Sequence, residues 1–135
     1  MRDEYVGDVG DFGKYILLNE LQKIAGQKTT IGINWYYNIR PAPAFRYLSD
    51  NNFPQSKNMD EAALLASLKN IYENRKPRLS DIEDKSIVQG CHCYGEPIPY
   101  SRPYKEQREQ WFDKSLDALK NTDIIFYRLK AIELF

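Results

Sequence analysis

The sequence is poor in most features that mark a specialised class. Among its 135 residues are two cysteines, Cys91 and Cys93, which flank the sole histidine, His92. A disulfide closing so small a loop would be strained, and two sulfurs do not make the staple framework of a small extracellular domain. Zinc ordinarily takes four ligands, whereas this triplet offers three that cannot all reach one ion from adjacent positions. The triplet reads as reduced thiols beside a polar histidine; no metal site is expected, and a catalytic role for His92 or a thiol is the lesser reading. Charge of one sign is also missing. Lys plus Arg and Asp plus Glu both number 19, so no global field steers the chain toward a polyanion. No run of about 18 apolar residues is present to cross a bilayer, and Met1-Arg2-Asp3-Glu4 lacks the apolar core of a signal peptide. These absences predict a cytoplasmic chain without a membrane partner. A nucleophile elbow, a zinc-protease helix and locally paired acids are likewise missing.

What remains is ordinary globular material, 42% hydrophobic and 28% charged, with six Phe, ten Tyr and two Trp that need a core. It fits a single α/β domain over residues 1–135, or the N-terminal part of a longer one. Asp11 reads as the N-cap of a helix from Phe12 to Ala25 with Tyr15, Leu18, Leu21 and Ile24 on its apolar side, stopped by Gly26. Thr30 to Tyr37 reads as a strand because Ile31, Ile33, Trp35 and Tyr37 alternate; Gly32, Asn34 and Tyr36 on its other face allow close approach of a helix or ligand. A short helix is expected over 44–49 and a loop over 50–57. Asn58 with Glu61 forms a capping box before Met59, Ala62, Leu65, Leu68 and Tyr72, which recur at helical spacing. Arg75 to Asp84 is polar, Ser86 to Gln89 is too short to type, and the proline-rich stretch Gly90 to Pro103 reads as a connection or site-forming loop. A helix over Pro103 to Lys120, capped by Ser101, should turn Trp111, Phe112, Ser115 or Leu116, and Leu119 inward. It feeds Asp123 to Tyr127, the helix-to-strand step of a parallel sheet. The expected fold is a Rossmann-like three-layer α/β domain with a small, mainly parallel sheet. Its ligand crevice should lie beyond Tyr37 to Arg40 and beyond Tyr127.

The densest signal is Gly7-Asp8-Val9-Gly10-Asp11-Phe12-Gly13-Lys14-Tyr15. Three glycines allow tight turns, and Asp8, Asp11 and Lys14 place both signs of charge at a helix entrance. It is not a phosphate loop: Lys14 is not followed by Ser or Thr, the glycine spacing is wrong, no strand precedes it, and Asp11 would compete with phosphate for the helix amides. It is either a turn and cap or part of a cofactor or substrate site. Asn34, Trp35 and Tyr36 fit base stacking with amide readout, although Trp35 alternates with Ile31 and Ile33 as a core residue should. Arg40, Arg46, Arg102 and Arg108 are candidate phosphate contacts, but acids are interspersed and no basic patch is expected.

The stretch from Tyr5 through Tyr15 to Leu18, then Gly32-Ile33-Asn34-Trp35-Tyr36, and later Trp111, Leu116 and Asp123-Ile124-Ile125-Phe126, resembles an uncharacterised bacterial and phage family whose members are longer. The resemblance spans most of residues 5–127 and weakens from 38 to 100. It implies a Rossmann-like domain whose last matched strand ends in an acidic Asp-Pro-Asp-Asn-Gly-type motif. More distantly, the opening is similar to the segment Gly-Asn-His-Ala-Asp-Val-Leu-Lys-His of the S-adenosylmethionine-dependent adenine-N6 methyltransferases of large-subunit ribosomal RNA. Gly7, Asp11 and Lys14 match it, whereas Asp8 replaces Asn and Tyr15 replaces His. Their Asp-Pro-Pro-Tyr motif is missing, and Tyr37-Asn38-Ile39-Arg40 stands where they have a glycine-rich turn.

Together these readings name Asp8, Asp11, Lys14, Asn34 and Tyr36 as candidate cofactor-binding residues and assign no catalytic one. S-adenosylmethionine is the candidate cofactor, and a nucleotide or nucleic acid the candidate partner, of a methyltransferase-like domain. A metal-dependent nuclease using Asp8 and Asp11, and a non-catalytic interaction module or degraded remnant, are the alternatives. Beyond Tyr127 the basic and apolar run Arg128 to Phe135 carries no Asp-Pro motif. The chain is therefore expected to be truncated or frameshifted and inactive as given, and to self-associate through an exposed sheet edge and the tail residues Ile132, Leu134 and Phe135.

Overall fold

The computed structural model describes residues 1–40 and 58–127. Within them a small sheet has β1 (Ile31–Asn34) at its centre, with β2 (Cys91–Cys93) and β3 (Ile124–Tyr127) on either side, and both pairings are parallel. Ile31 stands opposite both Cys91 and Ile124, and Asn34 opposite Tyr127. Around the sheet run α1 (Val9–Ala25), α2 (Met59–Asn74), the one-turn α3 (Asp81–Asp84) and α4 (Tyr104–Leu119). This is the expected mixed α/β arrangement of helices about a small parallel sheet.

Alternation along β1 decides the layers. Ile31, Ile33 and Trp35, none with measurable exposure, join one core with Phe12, Tyr15 and Leu18 of α1 and Leu68 and Ile71 of α2. Trp35 meets Tyr15 and Phe126 edge-on, at centroid distances of 5.9 and 6.0 Å. Such pairs contribute about 0.5–1.5 kcal/mol each beyond their burial, so Trp35 is a core residue and no stacking platform for a base. A second cluster lies under α4, where Tyr36 and Tyr94 pack edge-on against Trp111 beside Leu119 and Ile125. Gly32 permits this approach: a β-carbon there would lie 2.5 Å from Thr122 Oγ1 and 3.1 Å from Leu119 Cβ. The close approach expected at Gly32 is that of a helix end.

Several expectations are corrected. α1 begins a turn early, with Asp8 as its N-cap accepting from Gly10 N–H, and Asp11 sits inside the first turn. Its buried side runs through Asp11, Phe12, Tyr15, Leu18 and Gln22, which leaves Leu21 partly exposed and Ile24 84% exposed. β1 is shorter than expected because Tyr36 takes a left-handed φ of 53°. Asn58 caps α2 through Glu61 N–H as expected, but Met59 faces solvent. The polar stretch before residue 85 holds α3, whose Asp81 is buried. β2 lies within the segment read as a loop; three residues flanked by glycine and proline are too few for a period to show. Ser101 does not cap α4 but bonds Gln107 Oε1, and Leu116 is exposed while Ser115 is buried. The helix expected over 44–49, the loop over 50–57 and the tail 128–135 lie outside the described residues.

Among the described residues no helix is long and apolar enough to cross a membrane. β3 pairs with β1 alone there, so its outer edge is open, and all four of its residues are half-buried.

Candidate functional site

From β1 the chain passes through α2 and α3 to β2, then returns through α4 to β3 on the opposite side of β1. The direction of winding therefore reverses between β1 and β3, and in parallel sheets ligands occupy the crevice outside the carboxyl ends of the strands at such a point. The N-termini of α1 and α4 both reach this rim, since each helix runs back antiparallel to the strand it feeds. The first residues cross it as well. The Met1 amine donates to the carbonyls of Trp35 at 2.8 Å and Tyr36 at 3.1 Å, and Asp3 accepts from Tyr37 OH and Leu79 N–H.

A cleft of about 680 Å³ opens here. α1 contributes Asp8, Gly10, Asp11 and Lys14; the end of β1 contributes Tyr36 and Asn38. The N-terminal segment adds Arg2 and Tyr5, and Ile98, Tyr100 and Arg108 complete it from the α4 side. Asp11 is 4% exposed and ion-paired with Lys14, whose side chain is one-third exposed. Burial pushes the Tyr36 phenol above its ordinary value, so it stays protonated at neutral pH. The cleft is polarised. Carboxylates and Lys14 stand on the α1 side, suited to hydroxyl, ammonium or carboxylate groups; Arg108 and the Tyr100 ring stand on the other, suited to an anion or a flat ring. No Ser, Cys or His side chain is among these lining residues.

Four of the five residues expected from sequence, Asp8, Asp11, Lys14 and Tyr36, thus come together. Asn34 does not line the cleft. It is fully buried, and its Oδ1 accepts the Tyr36 N–H at 3.0 Å, so it shapes the rim from beneath. Its Nδ2 and the Tyr127 hydroxyl have no hydrogen-bond partner among the described residues. Sequence reasoning missed Arg2, Tyr5 and Tyr100. The signal for Tyr100 was its place between Pro99 and Pro103 in a segment read as site-forming.

Glu83 bridges His92 Nδ1 at 3.1 Å and Cys93 N–H at 2.8 Å. Both cysteines are free, and the neighbouring Cys91 thiol together with burial pushes the Cys93 thiol far up, which makes it a poor nucleophile. Among the described residues no group of three or more His, Cys, Asp or Glu is placed to hold a metal ion. A hollow of about 330 Å³ between α1 and α2 is rimmed by Lys23, itself paired with Glu20 and Asp60.

Comparisons with protein-family models, curated proteins and solved structures return no match for this chain. The resemblances drawn from sequence rest on the residues that carry them.

Proposed function

We propose that this domain binds a nucleoside-bearing cofactor of the S-adenosylmethionine class in the cleft beyond β1, as part of a methyltransferase-like unit acting on a nucleotide or nucleic acid. The observation that carries the reading is the convergence of Asp8, Asp11, Lys14 and Tyr36 on one cleft at the winding reversal of a parallel sheet. Its volume lies within the range of cofactor sites, and its split polarity fits a ligand with hydroxyls and an amino acid group at one end and a heterocycle at the other. Asp8 would accept from hydroxyl or ammonium groups, Lys14, oriented by its pairing with Asp11, would meet a carboxylate, and Tyr36 would line the heterocycle's end. When bound, the cofactor supplies an electrophilic methyl group. Calorimetry with S-adenosylmethionine, S-adenosylhomocysteine and adenosine nucleotides tests this, with Lys14→Ala expected to weaken binding about tenfold, the value of one charge-assisted contact. No saturable binding by any of these ligands would rule the reading out.

A metal-dependent nuclease is less well supported, because among the described residues no group of three or more His, Cys, Asp or Glu is placed to hold a metal ion. The open edge of β3 supports a second reading, self-association by strand addition. Light scattering across protein concentration tests it, and a monomer throughout would count against it.

A further inference from the structure

We infer that Arg40, Tyr100, Tyr104 and Arg108 form a docking ledge for single-stranded nucleic acid at the mouth of the cleft. Tyr100, Tyr104 and Arg108 recur at four-residue spacing, and the fold brings Arg40 onto the Tyr100 ring. The Arg40 guanidinium carbon lies 4.1 Å from the Tyr100 ring centroid, and that of Arg108 lies 5.8 Å from Tyr100 and 5.5 Å from Tyr104. Arg102 and Lys105, both exposed, stand beside them in sequence. None of Arg40, Arg102, Lys105 and Arg108 has an acidic partner within ion-pair distance among the described residues, whereas Lys14, Lys23, Arg75 and Lys120 each have one. Glu106 and Glu109 are the nearest acids along α4, and helical geometry turns them from Arg108 by roughly 160° and 100°.

The chemistry of the stack selects the partner. A guanidinium lying on an aromatic face keeps N–H groups available for phosphate oxygens while the ring restricts its motion, which lowers the entropy lost on binding. Arg108 donates its Nε–H to the Pro99 carbonyl at 3.5 Å, which leaves its terminal N–H groups for that contact. Tyr104 is 45% exposed, which leaves part of its side chain accessible to a base. Alternating cations and rings suit a strand whose bases are unpaired and whose phosphates follow one another closely; duplex DNA hides its base faces, and an acidic peptide has none. Tyr100 and Arg108 also line the cleft, so a strand on the ledge would bring a nucleotide to its mouth. The inference rests on the proposed cofactor site for what happens to that nucleotide, and not for binding of the strand.

Fluorescence anisotropy with a labelled single-stranded oligonucleotide, across a salt series, tests it on the full chain. Saturable binding is expected, with a log–log salt slope of roughly −2 to −3, about 0.7 for each of three or four phosphates. The double variant Arg40→Ala/Arg108→Ala should weaken binding at least about tenfold and flatten the slope by about 1.4, roughly 0.7 for each cation removed. Tyr104→Ala should weaken it about tenfold without changing the slope. Lys120→Ala, at the far end of α4, should change nothing. Absence of saturable binding, equal or tighter binding of the duplex or of phosphatidylserine vesicles, or an affinity indifferent to the double variant would overturn the inference. Calorimetry separates the two readings: strand binding without cofactor binding leaves the ledge standing and removes the cleft reading, and the reverse removes the ledge alone.

Discussion

Asn34 holds the backbone of Tyr36: its Oδ1 accepts the Tyr36 N–H at 3.0 Å while Tyr36 sits in the left-handed region at φ 53°. A tyrosine there carries backbone strain on the order of 1 kcal/mol, and it persists because surrounding contacts over-determine it. Asn34→Ala should cost about 1–2 kcal/mol, with the loss trimmed because the unpartnered Nδ2 disappears as well. Urea unfolding measures this, and an unchanged midpoint would mean that the Trp111 contact alone sets the turn.

Gly32 leaves no room for a methyl group. Gly32→Ala should destabilise the domain by about 1–3 kcal/mol, because the contact is with Thr122 Oγ1 and Leu119 Cβ at the end of a packed helix. Thr122→Ala alone loses the hydroxyl's 2.7 Å bond to Leu119 O, yet it clears the nearest obstacle. The double variant should therefore be less destabilised than the two single effects combined, a coupling that a double-mutant cycle would reveal.

Acid should act through Asp81. Burial alone would raise its pKa, but the Arg75 guanidinium and the Arg78 N–H outweigh burial and hold it below the ordinary 3.8. A carboxylate depressed in the folded state stabilises fully above its unfolded value and loses that contribution as pH falls through its folded value. Asp123, held down by the Thr30 N–H and hydroxyl, acts with the same sign. Thermal midpoints should be flat above about pH 5 and fall below about pH 4. Asp81→Asn should lower the midpoint at neutral pH and reduce its acid slope.

Alkali should act on the tyrosines in the opposite sense. Burial, reinforced by Asp3, pushes Tyr37 up to about 12, and burial with Glu96 does the same for Tyr94. A phenol raised in the folded state stabilises fully below its unfolded value, ordinarily 10.0, and that contribution is lost as pH rises through the folded one. Tyrosinate absorbance should show a late-titrating fraction. Tyr37→Phe should remove part of that fraction and free the Asp3 carboxylate oxygen it engages; normal titration of every tyrosine would contradict the placement of these rings.

The sequence disclosed whatever repeats over many residues. α2 was legible from its capping box, and α4 with β3 from an apolar stripe running into a short strand. β1 was legible because Ile31, Ile33 and Trp35 share one face. β2 was hidden because Cys-His-Cys shows no period and gains strand character only from Ile31 and Ile33 beside it. The start of α1 was misplaced since Asp8 and Asp11 are equally good caps in isolation; Asp11 is drawn inside the first turn, where it is buried against Lys14. At the candidate site, the residues of α1 were legible by local charge and glycine. Tyr100 was not, and Arg108 was legible only as a candidate phosphate contact, because the meeting of both with α1 depends on the path of α4 across the sheet.

The central place of β1 also sets an order of events during synthesis. Ile31 to Asn34 are made early, and their partners Cys91 to Cys93 and Ile124 to Tyr127 follow only after the helices between them. Until then the most deeply buried strand has two unsatisfied edges and can recruit neither neighbour locally. Non-local parallel pairing of this kind is slow and exposed to aggregation. The nascent chain is therefore most vulnerable in the interval between translation of β1 and translation of β3, and a holdase that shields residues 31–35 in that interval should raise its folding yield.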